Sequence, residues 1–132
     1  MNSLKGKVEK LNVYENLTLA RIRVGEVLVT SIVIETPDTC PYLVVGKEVN
    51  VLFKENEVII GKGSNLSISL QNRFACTIKH IEQGILLSKL TLLTQGIEIY
   101  SIITTNAVKQ LGLNEGMAVQ AMIKTNEIML SE

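Results

Sequence analysis

Shifting this chain against itself by 70 positions lays residues 4–60 over residues 74–130 without a gap, so whatever it folds into must be built twice. Identities fall at Leu17/Leu87, Ser31/Ser101, Ile32/Ile102, Leu43/Leu113, Gly46/Gly116, Val49/Val119 and Lys54/Lys124. Apolar positions are exchanged conservatively, as in Val8/Ile78, Ile22/Leu92 and Val58/Ile128. The phrase Lys-x-Asn-Glu-[Val/Ile] recurs at 54–58 and 124–128. Lys, Asn and Glu are rarely kept for core packing, so that recurrence points to surface or site chemistry.

Between the copies runs Gly61-Lys62-Gly63-Ser64-Asn65-Leu66-Ser67, the composition of a turn or short linker, which predicts a first domain over 1–63 and a second over 67–132. A unit of about 60 residues is marginal as an independent core, so intimate contact between copies or between chains is expected. Period-2 alternation with β-branched enrichment predicts strands at 5–13, 17–24, 27–34, 47–54 and 57–60, and again at 76–82, 86–93, 98–103, 118–124 and 127–130. One helix is predicted: Thr104-Thr105-Asn106 can cap residues 107–111, and Gly112 can end the helix in the left-handed conformation. Pro37 and Pro41 occupy that place in the first copy, where a tighter turn is expected. The fold class is all-β: two tandem five-stranded Greek-key barrels of the oligomer-binding (OB-like) type, each with at most one short helix or turn segment.

With 46% apolar residues and 13 basic against 13 acidic side chains, the chain can bury enough surface to order itself, and disorder is excluded. Zero net charge argues against a nucleic-acid partner, because phosphate contacts need a surplus of Lys and Arg. No apolar run approaches the roughly 20 residues needed to cross a bilayer, so no membrane partner is expected, and the start does not read as a signal peptide. Cytoplasmic location follows as the expectation. Cys40 and Cys76 have no metal-type spacing and read as small apolar fillers.

Hydrolysis or group transfer would need a nucleophile with its base, paired carboxylates or a metal cluster, and none is evident, so no enzymatic activity is expected. His80, flanked by Ile78 and Ile81, reads as a partly exposed strand residue. What remains is a set of donors near turns: Ser67, Ser69, Gln71 and Asn72, then Thr104, Thr105 and Asn106, with Lys54 and Lys124. Hydroxyls, backbone N–H groups and a single Lys can surround a tetrahedral oxyanion without a large net charge. The same residue types also cap helices and stabilise turns in any protein, and spacing does not separate the two readings.

These residues resemble the Mop or molbindin family, the small TOBE-type domains that bind molybdate and tungstate. The family opens each domain with a pattern near Ser-Ala-Arg-Asn-x-Leu-x-Gly, and residues 69–76 match it at Ser69 and Asn72, with Gln71 in place of Arg and Cys76 in place of Gly. The later pattern, Ile-Thr with a short helix ending Leu-Gly-Leu-x-x-Gly, then Val-x-Ala-x-Ile-Lys, is matched from Ile103 to Leu130. In the first copy Leu4-Lys5-Gly6, residues 46–49 and Lys54 agree, and Ile34 stands opposite Thr104.

The resemblance implies a free-standing tandem protein that stores or buffers molybdate or tungstate in the cytoplasm. The oxyanions would be held at domain or subunit interfaces of a homo-oligomer, a trimer as first guess. The ligand residues it implies are Ser69, Thr104 and Lys124, with Gln71 and Asn72 in the opening motif and Lys54 as the first-copy counterpart. Two other readings stay open: an oxyanion-sensing module that docks on a transporter or transcription regulator, and an oligomeric scaffold whose ligand site has degenerated.

Overall fold

Alternating burial turns into antiparallel strands throughout the computed structural model, which describes all 132 residues. In the first copy β1 (Asn2–Tyr14), β2 (Leu17–Val24), β3 (Val27–Val33) and β4 (Glu48–Phe53) line up in the order β4-β1-β2-β3. β5 (Ile59–Gly61) is the last strand of that copy in sequence, and the second repeats the arrangement with β6 (Asn72–Gln83), β7 (Leu87–Thr94), β8 (Ile97–Thr104) and β9 (Ala118–Ile123), ending in β10 (Met129–Ser131). The long opening strand of each copy serves two neighbours: residues 2–7 of β1 pair with β4, and residues 7–14 pair with β2. A register shift between Val8 and Lys10, repeated between Ile78 and His80, bends each long strand as a β-bulge does, and the sheets curl into half-barrels, which match the OB-like barrels expected from the sequence.

Each sheet takes its fifth strand from the other copy. β5 lies against β9, with Ile60 opposite Ala121, and β10 lies against β4, with Leu130 opposite Val51. The recurring Lys-x-Asn-Glu phrase is the device that redirects the chain: residues Glu55–Glu57 and Thr125–Glu127 form single 3₁₀ turns, each preceded by its Lys. Two tandem five-stranded barrels would each keep their own last strand, expected from alternation at 57–60 and at 127–130; the strands start two residues later and cross over, because the polar phrase turns instead of extending.

The exchange is fastened by paired side-chain contacts that obey the repeat. Ser31 Oγ donates to the Ile128 carbonyl at 2.9 Å, and Ser101 Oγ donates to the Val58 carbonyl at 3.0 Å. Asn72, fully buried, donates its amide N–H to the Thr30 carbonyl at 2.8 Å and accepts the Thr30 N–H at 2.7 Å. Asn2 makes the same two contacts with Tyr100, at 2.9 and 2.8 Å. A single apolar cluster of 25 buried residues, including Phe53 and Phe74, runs through both copies. Two half-size units have thereby made one core of ordinary size.

The predicted helix is present as α1 (Thr105–Leu111). The Thr104 hydroxyl accepts the Ala107 N–H, and Gly112, at φ 62°, ends it in the left-handed region that glycine enters without strain. The first copy passes the same point through turns. Cys40 and Cys76 are buried free thiols, and burial pushes the Cys76 thiol up to about 11, in keeping with an apolar filler.

Candidate functional site

The segment before β6 has no strand partner, and one side chain shapes it. Arg73 folds back so that Nε donates to the Leu70 carbonyl at 2.7 Å, Nη1 to Leu66 at 2.9 Å and Nη2 to Ile68 at 2.7 Å. A guanidinium satisfied by three carbonyls of one loop holds that loop in a fixed curve. Ser69, Leu70 and Gln71 thus form one wall of a cleft of about 340 Å³. The facing wall belongs to the first copy, where Leu19 and Arg21 on β2 stand beside Thr30 on β3, with Arg21 and Thr30 in register. Lys124 and Thr125, at the second 3₁₀ turn, complete the lining. The Asn72 clasp on Thr30 ties the two walls together.

The chemistry of this lining is one-sided. No carboxylate is present, while Ser69, Thr30 and Thr125 contribute hydroxyls, Gln71 an amide, and Arg21 and Lys124 two full positive charges. Neither cation is neutralised: Arg21 bonds only to the neutral Asn12 Oδ1, at 2.7 Å, and Lys124 has no protein partner. Elsewhere Arg23 is paired with Glu9 at 2.8 Å and Lys79 with Glu98 at 2.9 Å, which holds both carboxyls below their ordinary range. A concave set of donors with uncompensated charge is suited to an anion.

Of the residues expected from sequence, the structure brings Ser69, Gln71 and Lys124 together in this cleft. Asn72 adjoins it, but its amide is fully buried and clasped to Thr30, so it positions a wall and does not line the cleft. Thr104 lies elsewhere, on an apolar groove of about 580 Å³ lined by Val58, Ile60, Leu87 and Ile103, and its hydroxyl caps α1.

Lys54 is exposed at the first 3₁₀ turn, in the corner that corresponds to the cleft by the 70-residue shift. Glu55 there replaces Thr125 and pairs with the terminal amine, which lowers its pKa, and Lys89 stacks 5.0 Å from the Tyr100 ring centre where the cleft has Leu19 and Thr30. A carboxylate beside Lys54 makes that corner poorer for an anion. Arg21, Thr30 and Thr125 are not legible as site residues in the sequence, because the first two sit some 40 to 50 positions from Ser69 and the third is the variable place of the recurring phrase. His80, expected to be partly exposed, is exposed, with Nδ1 2.9 Å from a Glu115 oxygen.

Two curled sheets of five strands with one short helix define a pair of OB-like domains. The TOBE domain family matches residues 68–130. Molybdenum-pterin-binding protein 1 of Clostridium pasteurianum is 30% identical over 66 residues, covering 49% of this chain and 97% of that protein. The molybdenum transport protein ModE of Azotobacter vinelandii is 29% identical over 90 residues, or 67% of this chain, which spans only 33% of that longer protein. Among solved structures, that of the cytoplasmic molybdate-binding protein ModG with molybdate bound superposes with a TM-score of 0.91 at 31% identity, covering 98% of this chain and 94% of that one. The chain belongs to the Mop/TOBE molybdate-binding family, with two copies of the domain in tandem.

Proposed function

We propose that this protein binds molybdate as a tetrahedral dianion in the cleft between its two copies, with Lys124 as the charged ligand and Ser69 and Gln71 as neutral donors. The observation that carries the reading is the cleft's composition: two uncompensated cations, hydroxyls and an amide, with no carboxylate. Similarity along almost the whole chain to ModG, solved with molybdate bound, supports it. The role is storage or buffering in the cytoplasm, tungstate fits the same donors, and no catalytic step is needed. No helix is long and apolar enough to cross a membrane.

Exposed Val44, Val45, Ile85 and Leu86 support assembly into a homo-oligomer, for which a trimer is the working expectation. In such an assembly Thr104 and Lys54, both outside the cleft, would serve an oxyanion only through a neighbouring chain. The match to one third of ModE favours one further reading, that the same fold acts as an oxyanion-sensing module attached to or docked on a larger regulator.

Calorimetry with molybdate, tungstate, sulfate and phosphate tests the proposal. Saturation to a hundredfold excess over the dissociation constant stabilises a folded binder by about 2.7 kcal/mol, so molybdate should raise the melting temperature and sulfate much less. Equal responses to sulfate and molybdate would reduce the cleft to a generic anion site, and no response to any of them would leave a scaffold.

A further inference from the structure

We propose that Arg21 is a direct, specificity-determining ligand of the oxyanion, supplied to the second copy's cleft by the first copy. This rests on the oxyanion reading of the cleft. Arg21 lines the same cleft as Ser69, Gln71 and Lys124, from the opposite wall. A guanidinium carries five N–H donors in a planar fork, and only Nη1 is engaged by protein, on Asn12 Oδ1. That contact comes from the neighbouring strand β1 and fixes the fork's direction without cancelling its charge. The contrast on the same strand is Arg23, whose Nε and Nη2 both engage Glu9, at 2.8 and 3.1 Å. Arg23 is a closed ion pair, whereas Arg21 keeps a charged face toward the cleft.

The pairing of the two cations gives a chemical reason for selectivity. Lys124 is a point charge on a flexible stem, and a fork presenting parallel N–H groups can grip two oxygens of one tetrahedral anion. Anchored at Nη1 by Asn12, that fork would face Ser69 and Gln71 across the cleft, and an anion large enough to reach both walls would be favoured over a smaller one. The site also becomes a property of the tandem chain, since Arg21 and Thr30 come from one copy and the remaining donors from the other.

Titration of the full chain with molybdate and with sulfate tests this in Arg21→Ala, Arg21→Lys, Arg23→Ala and Lys124→Ala, each checked for an unchanged melting profile without ligand. Arg21→Ala should bind molybdate at least about tenfold more weakly, as loss of a charge-assisted contact does. Arg21→Lys should recover only part of that loss and narrow the gap between molybdate and sulfate, while Arg23→Ala binds like the parent. Parental affinity in Arg21→Ala, with Lys124→Ala weakened, would overturn the role of Arg21 and leave the oxyanion site standing. Full recovery in Arg21→Lys would overturn the fork and reduce Arg21 to a field effect. If the parent itself binds neither molybdate nor sulfate, the oxyanion reading falls and the role of Arg21 falls with it.

Discussion

Lys124, in the cleft, and Asn72, beside it, separate binding from folding. Lys124 is exposed and unpaired, so replacing it by Ala should leave stability within about 0.5 kcal/mol of the parent. Its ammonium forms charge-assisted bonds with an anion, so molybdate affinity should fall by about 1.5 to 3 kcal/mol, against about 0.5 to 1.5 for Ser69→Ala. Lys54→Ala, beside Glu55, should change binding little. Titration of the three variants decides the order, and a Lys124→Ala protein with parental affinity would show that the cleft is not the site.

Asn72 should behave in the opposite way. Its amide is the partner of a buried N–H and carbonyl on Thr30, at the outer edge of β3. Asn72→Ala leaves that N–H without a partner and should cost about 1 to 3 kcal/mol of stability, read from the urea midpoint. Ser69→Ala, at an exposed loop position, should shift that midpoint far less.

At the scale of the elements, one polar contact caps α1 and two lie beside the β6 bulge. Thr104 accepts the Ala107 N–H at 3.1 Å, so Thr104→Ala should lower stability by about 1 kcal/mol through the lost cap, a change that thermal melts would register. Beside the bulge, Glu115 accepts the Ile81 N–H at 3.2 Å and meets His80 Nδ1 at 2.9 Å. The backbone bond first and His80 second hold the Glu115 carboxyl below its ordinary 4.5. A carboxyl depressed in the folded state contributes stability above its unfolded value and loses it as pH falls through the folded one. Melting temperatures of the parent and Glu115→Gln should therefore converge below about pH 4.5, with the parent falling more steeply on the acid side; parallel curves would remove Glu115 from the acid response.

For the whole molecule the exchanged strands set the folding unit. A chain cut after Gly63 would keep β4 without the strand that covers its outer edge and would leave β5 with nothing to pair. The continuous core would also be divided between the two pieces. Residues 1–63 and 64–132 prepared separately should lack a cooperative melt, and mixing them should restore one, followed by circular dichroism. Cooperative unfolding of either half as a monomer, with its mass checked by sedimentation, would show that the exchange is dispensable.

The alternation of apolar residues, the caps of α1 and the 70-residue repeat each state a local rule, which is why ten strands, one helix and two copies are legible in the amino-acid sequence alone. A period of two says which face of a strand is buried and is silent on which strand lies beside it. Because β4 and β9 are repeats of one another, β5 and β10 meet the same pattern of edge and apolar face on either copy. Local preference does not choose between them. The Asn72–Thr30 and Asn2–Tyr100 clasps do, and they act only once both sheets exist. The cleft shows the same division. Ser69, Gln71 and Lys124 stand out as donors by their types and places near turns, but Arg21 joins them only when β2 of one copy packs against the opening segment of the other. Anion binding depends on the convergence of charge in space, and across that separation in sequence only the packed core supplies it.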